Sequence, residues 1–129
     1  MKSKRILVVE DDPLIMDLIA IILEREGHEV VRAGTAEQGL AIAEGRPPDL
    51  VLMDIALPGI DGLEATRMLK SGAATRAVPV VALTAQAMRA DADAAARAGC
   101  DGFIAKPIST RAFLREVAAF LGTAGDGRS

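Results

Sequence analysis

Two runs of four apolar residues, Ile6-Leu7-Val8-Val9 and Leu50-Val51-Leu52-Met53, each end without transition in acids, Glu10-Asp11-Asp12 and Asp54. Short, uninterrupted apolar runs read as strands covered on both faces, as in the middle of a parallel sheet; a one-sided strand would alternate. Such a strand has room for a carboxylate only where it leaves the sheet. In open α/β sheets, ligands bind in the crevice at the carboxyl ends of the strands. The chain is therefore expected to fold around an acidic sheet edge, with Asp54 as the candidate working residue.

The other segments fit the same architecture. Asp12 is placed to cap a helix whose first position is Pro13, and that helix runs to about Glu26 before Gly27 stops it. Glu29-Val30-Val31-Arg32-Ala33 is a half-polar strand, the pattern of a sheet edge. Thr35-Ala36-Glu37-Gln38 is a capping box for a helix closing near Gly45, and Pro47-Pro48 breaks the chain before the central strand. Asp61-Gly62-Leu63-Glu64 opens a third helix, to about Lys70. Pro79 to Leu83 is a fourth strand ending in Thr84, followed by an alanine-rich helix from Gln86 to Ala98, closed by Gly99. Gly102 to Ala105 is a fifth strand ending in Lys106-Pro107, and Ser109 caps the last helix, with Phe113, Val117, Phe120 and Leu121 on one apolar face. Strands alternating with helices, joined by right-handed crossovers, predict an α/β, flavodoxin-like doubly wound (βα)5 domain. Its parallel five-stranded sheet should have the order 2-1-3-4-5, with the half-polar strand at the edge. The domain should span residues 1–122, with 123–129 a disordered tail.

Composition narrows the function. A chain of 129 residues with a net charge of −3 is one domain without the basic patch that a nucleic-acid surface needs. A single cysteine, Cys100, forms no internal disulfide and fits a reducing compartment. No apolar run reaches the ~18 residues of a membrane span, and the N-terminus lacks the pattern of a signal peptide. The expected setting is the cytoplasm, with neither membrane nor nucleic acid as partner.

Four of the five strands end in groups able to do chemistry: Glu10-Asp11, Asp54, Thr84 and Lys106. On one edge of a parallel sheet these ends converge. Crowded carboxylates repel, and a hard cation with oxygen ligands resolves the conflict. Mg²⁺ fits, because it takes one or two carboxylates, keeps several waters and leaves a position for a phosphate oxygen. A carboxylate beside it can attack a phosphoryl group, giving an aspartyl-phosphate, while Lys106 and Thr84 supply a charge and a hydroxyl to the remaining oxygens. The constellation reads as a phosphoryl acceptor.

Val8-Val9-Glu10-Asp11-Asp12, Met53-Asp54-Ile55-Ala56-Leu57-Pro58-Gly59-Ile60-Asp61-Gly62, Leu83-Thr84-Ala85 and Lys106-Pro107 together resemble the signature segments of CheY-like response-regulator receiver domains, in order and spacing, from Arg5 to about Leu121. The resemblance implies that Asp54 takes phosphate from a histidine kinase or a histidine phosphotransfer protein. It implies that Asp11 and Asp54 ligate Mg²⁺, that Glu10 holds it through water, and that the backbone carbonyl of Ala56 adds a ligand. Thr84 and Phe103 match the family's switch pair, with Phe where Tyr is more frequent. Phe has no hydroxyl, so only the position of the ring is left to carry a readout. The segments around Met53-Asp54 and after Thr84 are similar to the DivK-type single-domain receivers. A stand-alone receiver signals by contact with a downstream protein or by passing the phosphate on in a relay. The expected chain is no enzyme beyond its own phosphorylation and dephosphorylation. An aspartate-nucleophile phosphatase is the rival reading, but it needs an acid two residues past the nucleophile, where this chain has Ala56.

Two helices add local detail. On a wheel the first helix is expected to bury Ile15, Leu18, Ile19 and Ile22, leaving Leu14 and Ile21 beside the solvated stripe as a docking patch for the phosphodonor. The fourth helix, rich in alanine, favours helix but buries little, which suits an element that shifts on phosphorylation. His28 is expected to be an exposed turn residue, and Cys100 a small buried hydrophobe rather than a reactive thiol.

Overall fold

The apolar runs become the strands of a single parallel sheet. The computed structural model describes residues 3–55, 62–84, 89–105 and 110–125. In chain order the elements are β1 (Arg5–Val9), α1 (Pro13–Arg25), β2 (Glu29–Ala33), α2 (Ala36–Gly45), β3 (Leu50–Asp54), α3 (Gly62–Ser71), β4 (Val80–Thr84), α4 (Arg89–Ala98), β5 (Gly102–Ala105) and α5 (Thr110–Gly125). The strand order is β2-β1-β3-β4-β5, as the pattern predicts, with the half-polar β2 at an edge. α5 continues to Gly125, three residues past the point at which the disordered tail was expected to begin. The caps expected at Asp61 and Ser109, and the start of the fourth helix at Gln86, lie outside the described residues.

Both faces of the sheet are covered, and alternate strand residues supply two cores. Ile6, Val8, Leu50, Leu52, Val81, Leu83 and Ile104 pack on one face with Ile19 and Leu23 of α1 and Phe113, Val117 and Leu121 of α5. Leu7, Val9, Val51, Met53 and Val80 pack on the other with Leu40 of α2 and Ala65 and Leu69 of α3. α4 lies against α3 and β5. Every residue of β3 is buried, Asp54 included.

Local chemistry sets the helix ends. The Asp12 carboxylate accepts from the amides of Leu14 and Ile15, ahead of Pro13. α1 ends in a Schellman motif: the His28 amide donates to Leu23 O (3.2 Å) and the Gly27 amide to Glu24 O (3.0 Å), with Gly27 at φ +90°. α4 ends in the same way at Gly99, φ +105°, with Cys100 donating to Ala95 O. Thr35 caps α2 by accepting from the Gln38 amide, but Gln38 returns its bond to Gly34 rather than to the cap residue.

One expectation is corrected. Leu18 of α1 is 41% exposed, while Met16, Ala20 and Leu23 join Ile19 and Ile22 in the buried set and Ile15 is half-buried. The buried arc is rotated from the expected one. Leu18 stands one turn from Leu14 and shares its exposed stripe.

Candidate functional site

The parallel register carries the acids to one edge. Val9 pairs with Met53, so Glu10 and Asp54 follow side by side as β1 and β3 end. The Glu10 amide still bonds the sheet through Ala33 O (3.0 Å), and the Ile55 amide bonds Leu83 O (3.2 Å). Both acids leave adjacent strands at the same level.

Glu10, Asp11 and Asp54 form a cluster whose ligand oxygens all lie within 4.8 Å of one another. Glu10 and Asp54 are buried and Asp11 is exposed. Glu10 Oε2 also accepts from the Asp12 amide at 3.1 Å, which fixes its carboxylate at the turn into α1. Asp12 caps the helix and turns away from the cluster, as Pro13 predicts. A donor set made only of carboxylate oxygens, with one open to solvent, suits a hard cation that retains water. These residues fit Mg²⁺.

The remaining candidates stand as follows. Asp54 pairs with Leu83 across β3 and β4, so Thr84 ends β4 one residue further along and pairs with Ala105 of β5. The backbone thus delivers Thr84 to the acidic edge; its side chain, Lys106 and Ala56 lie outside the described residues. Phe103 is 36% exposed and sits on the sheet face opposite Ile104. Leu14 (79% exposed) and Ile21 (50%) project from α1, as expected, and Leu18 joins them. Leu18 could have been found from its spacing, one turn after Leu14 and one before Ile21.

Sequence reasoning missed how tightly α3 starts. A Cβ at Gly62 would overlap the carbonyl oxygen of Asp54 and lie 2.6 Å from Ile55 Cα, so only glycine lets α3 begin against the end of β3. It also misplaced His28, which is half-buried: its Nδ1 accepts from the Lys4 amide at 3.1 Å. Burial is the main cause lowering its pKa below 6.5; Glu26 opposes the shift and Lys4 adds to it. Cys100, expected to be buried, is half-buried, and burial is the main cause raising its thiol pKa.

The response regulator receiver domain family matches residues 6–118. The polar-differentiation response regulator DivK of Brucella ovis is 39% identical over 122 residues, covering 95% of this chain and 99% of that protein. Among solved structures, a CheY-like receiver domain protein from Methanospirillum hungatei is 34% identical with a TM-score of 0.87, covering 95% of this chain and 97% of that one. The receiver domain of a sensor histidine kinase from Pseudomonas aeruginosa, solved with a magnesium ion coordinated in its active-site cleft, is 33% identical. Its TM-score is 0.87, and the match covers 94% of this chain and 99% of that one. With a sheet of this order, an acidic cluster at its edge and a match along nearly the whole chain, the protein belongs to the response-regulator receiver family and is similar to the DivK-type regulators.

Proposed function

We propose that the protein is a phosphorylation-dependent switch in which Asp54 is the phosphoacceptor. The observation that carries this reading is the convergence of Glu10, Asp11 and Asp54 within 4.8 Å at the carboxyl end of the sheet. A carboxylate oxygen of Asp54 attacks the phosphorus of a phosphohistidine on a histidine kinase or phosphotransfer protein. The P–O bond forms, the P–N bond breaks, and the imidazole leaves with the bonding pair. Asp11 and Asp54 would hold Mg²⁺ directly, with Glu10 acting through water and the Ala56 carbonyl adding a ligand. The ion supplies charge neutralisation for the phosphoryl oxygens. Lys106 and Thr84 take up the oxygens that remain.

The phosphodonor docks on Leu14 and Ile21 of α1. Output leaves by the surface of α4, β5 and α5, where Thr84 and Phe103 form the switch, to control a downstream protein. Two observations support this. α1 exposes large aliphatic side chains next to the acidic edge. α4 is weakly anchored, since between residues 93 and 98 only Ala95 and Ala98 are buried. The same reading places the protein in the cytoplasm, and no helix among the described residues is long and apolar enough to cross a membrane.

The test is incubation with acetyl phosphate and Mg²⁺, followed by intact-mass measurement. The wild type should gain one phosphoryl group, and Asp54→Asn and chelated samples none. Continuous turnover of the donor without a phosphorylated species would favour a phosphatase instead.

A further inference from the structure

We propose that Thr66 is a positioning residue for Asp54: it holds the first turn of α3 against the backbone of the phosphoacceptor and ties that turn to the α4–β5 junction. The inference rests on reading Asp54 as the phosphoacceptor. Thr66 is completely buried in α3, where a hydroxyl without partners would be costly. Its Oγ1 donates to Gly62 O at 2.8 Å and accepts from the Cys100 thiol, with Sγ at 3.8 Å. Gly62 is the residue in contact with the Asp54 carbonyl. Cys100, Thr66, Gly62 and Asp54 are therefore four residues joined by three contacts in series.

The geometry gives this series a mechanical sense. A threonine hydroxyl bonded to the carbonyl four residues earlier bends its helix slightly. Here the bond spans the turn that abuts Asp54. At its other end the series reaches the residue after Gly99, where α4 ends. α3 grips that junction a second time: Lys70 Nζ donates to Asp101 Oδ2 (2.9 Å), which also accepts from the Val80 amide (2.8 Å). The end of α4 is thus connected to the phosphoacceptor through α3, by a route separate from Thr84. A carboxylate displaced by a fraction of an ångström loses its line of attack, so the bond acts on rate rather than on binding.

The experiment compares wild type, Thr66→Val and Thr66→Ser with acetyl phosphate and Mg²⁺. At saturating donor, Thr66→Val should be phosphorylated roughly fivefold more slowly, the effect of one lost hydrogen bond, and Thr66→Ser should recover the rate. The half-saturating Mg²⁺ concentration should stay unchanged in both. Cys100 is the sole cysteine, so a thiol reagent reports on the junction directly. Beryllofluoride with Mg²⁺ should change its labelling rate in the wild type and leave it unchanged in Thr66→Val. A wild-type phosphorylation rate in Thr66→Val overturns the proposal. So does a labelling rate in the wild type that ignores beryllofluoride, a result that needs no variant to fold. Failure of the wild type to take up phosphate overturns the reading of Asp54 instead.

Discussion

Asp11 and Asp12 are adjacent, chemically identical and put to different uses. Asp11 faces the cluster with Glu10 and Asp54, and Asp12 caps α1. Loss of the cap should cost about 1 kcal/mol of stability. Urea denaturation of Asp12→Ala is expected to show this while phosphorylation of Asp54 persists; a variant that keeps full stability but cannot be phosphorylated would reverse the two assignments. The roles were legible because Pro13 marks where the helix begins. His28 was not legible, because its partner, the Lys4 amide, lies 24 residues earlier and meets it only when the sheet forms. Neutral Nδ1 accepts that bond, and protonation would turn it into a donor facing another donor. The folded-state pKa lies below the ordinary 6.5, so on acidification the unfolded chain takes up the proton first. This contribution to stability is complete above pH 6.5 and declines as pH falls from there through the folded pKa. Urea midpoints taken across that interval should slope less in His28→Ala than in the wild type.

At the scale of elements, α1 shows both the reach and the limit of pattern reading. Its start, its end and the exposure of Leu14 and Ile21 follow from the sequence. The direction of its buried arc does not, and Leu18 emerged on the exposed side. A wheel with aliphatic residues on more than half its circumference has no unique apolar centre. The sheet and α5 select which residues are covered. Leu14, Leu18 and Ile21 then form one stripe suited to the apolar side of a partner helix. Ile21→Lys should slow phosphotransfer from the cognate histidine donor by about tenfold or more, as expected for a desolvated interface position given a charge, with phosphorylation by acetyl phosphate unaffected. Equal rates from both donors would remove Ile21 from the docking surface. β2 is a clearer case. Its half-polar pattern placed it at the edge, where Arg32 reaches Asp17 of α1 at 2.7 Å in an exposed pair that adds little stability.

For the molecule as a whole, the fold gathers like charges at one end of the sheet, and the cost of doing so should appear in its stability. An ion that binds the folded cluster stabilises it by mass action, about 1.4 kcal/mol at tenfold excess over Kd. The urea midpoint should therefore rise on adding Mg²⁺ to chelated protein. Asp54→Asn should start higher without the ion and gain less from it, because one of the repelling charges is gone. A midpoint indifferent to Mg²⁺ would count against a cation site among these acids.

The sequence by itself determined the alternation of strands and helices, the strand order, the helix caps at Asp12 and Thr35, and the acidic edge that begins at Asp54. Those are local signals: the period of apolar residues, the cap chemistry, and the place where a buried run meets a charge. Only the tertiary structure decided that Glu10, Asp11 and Asp54 come within 4.8 Å, that Gly62 abuts the Asp54 carbonyl, and that Thr66 joins Gly62 to Cys100. These contacts bring different elements together, β1 with β3, β3 with α3, and α3 with the end of α4, and their distances are set by strand register and helix packing. Local propensity determines which element forms; the separation between two elements depends on every side chain packed between them.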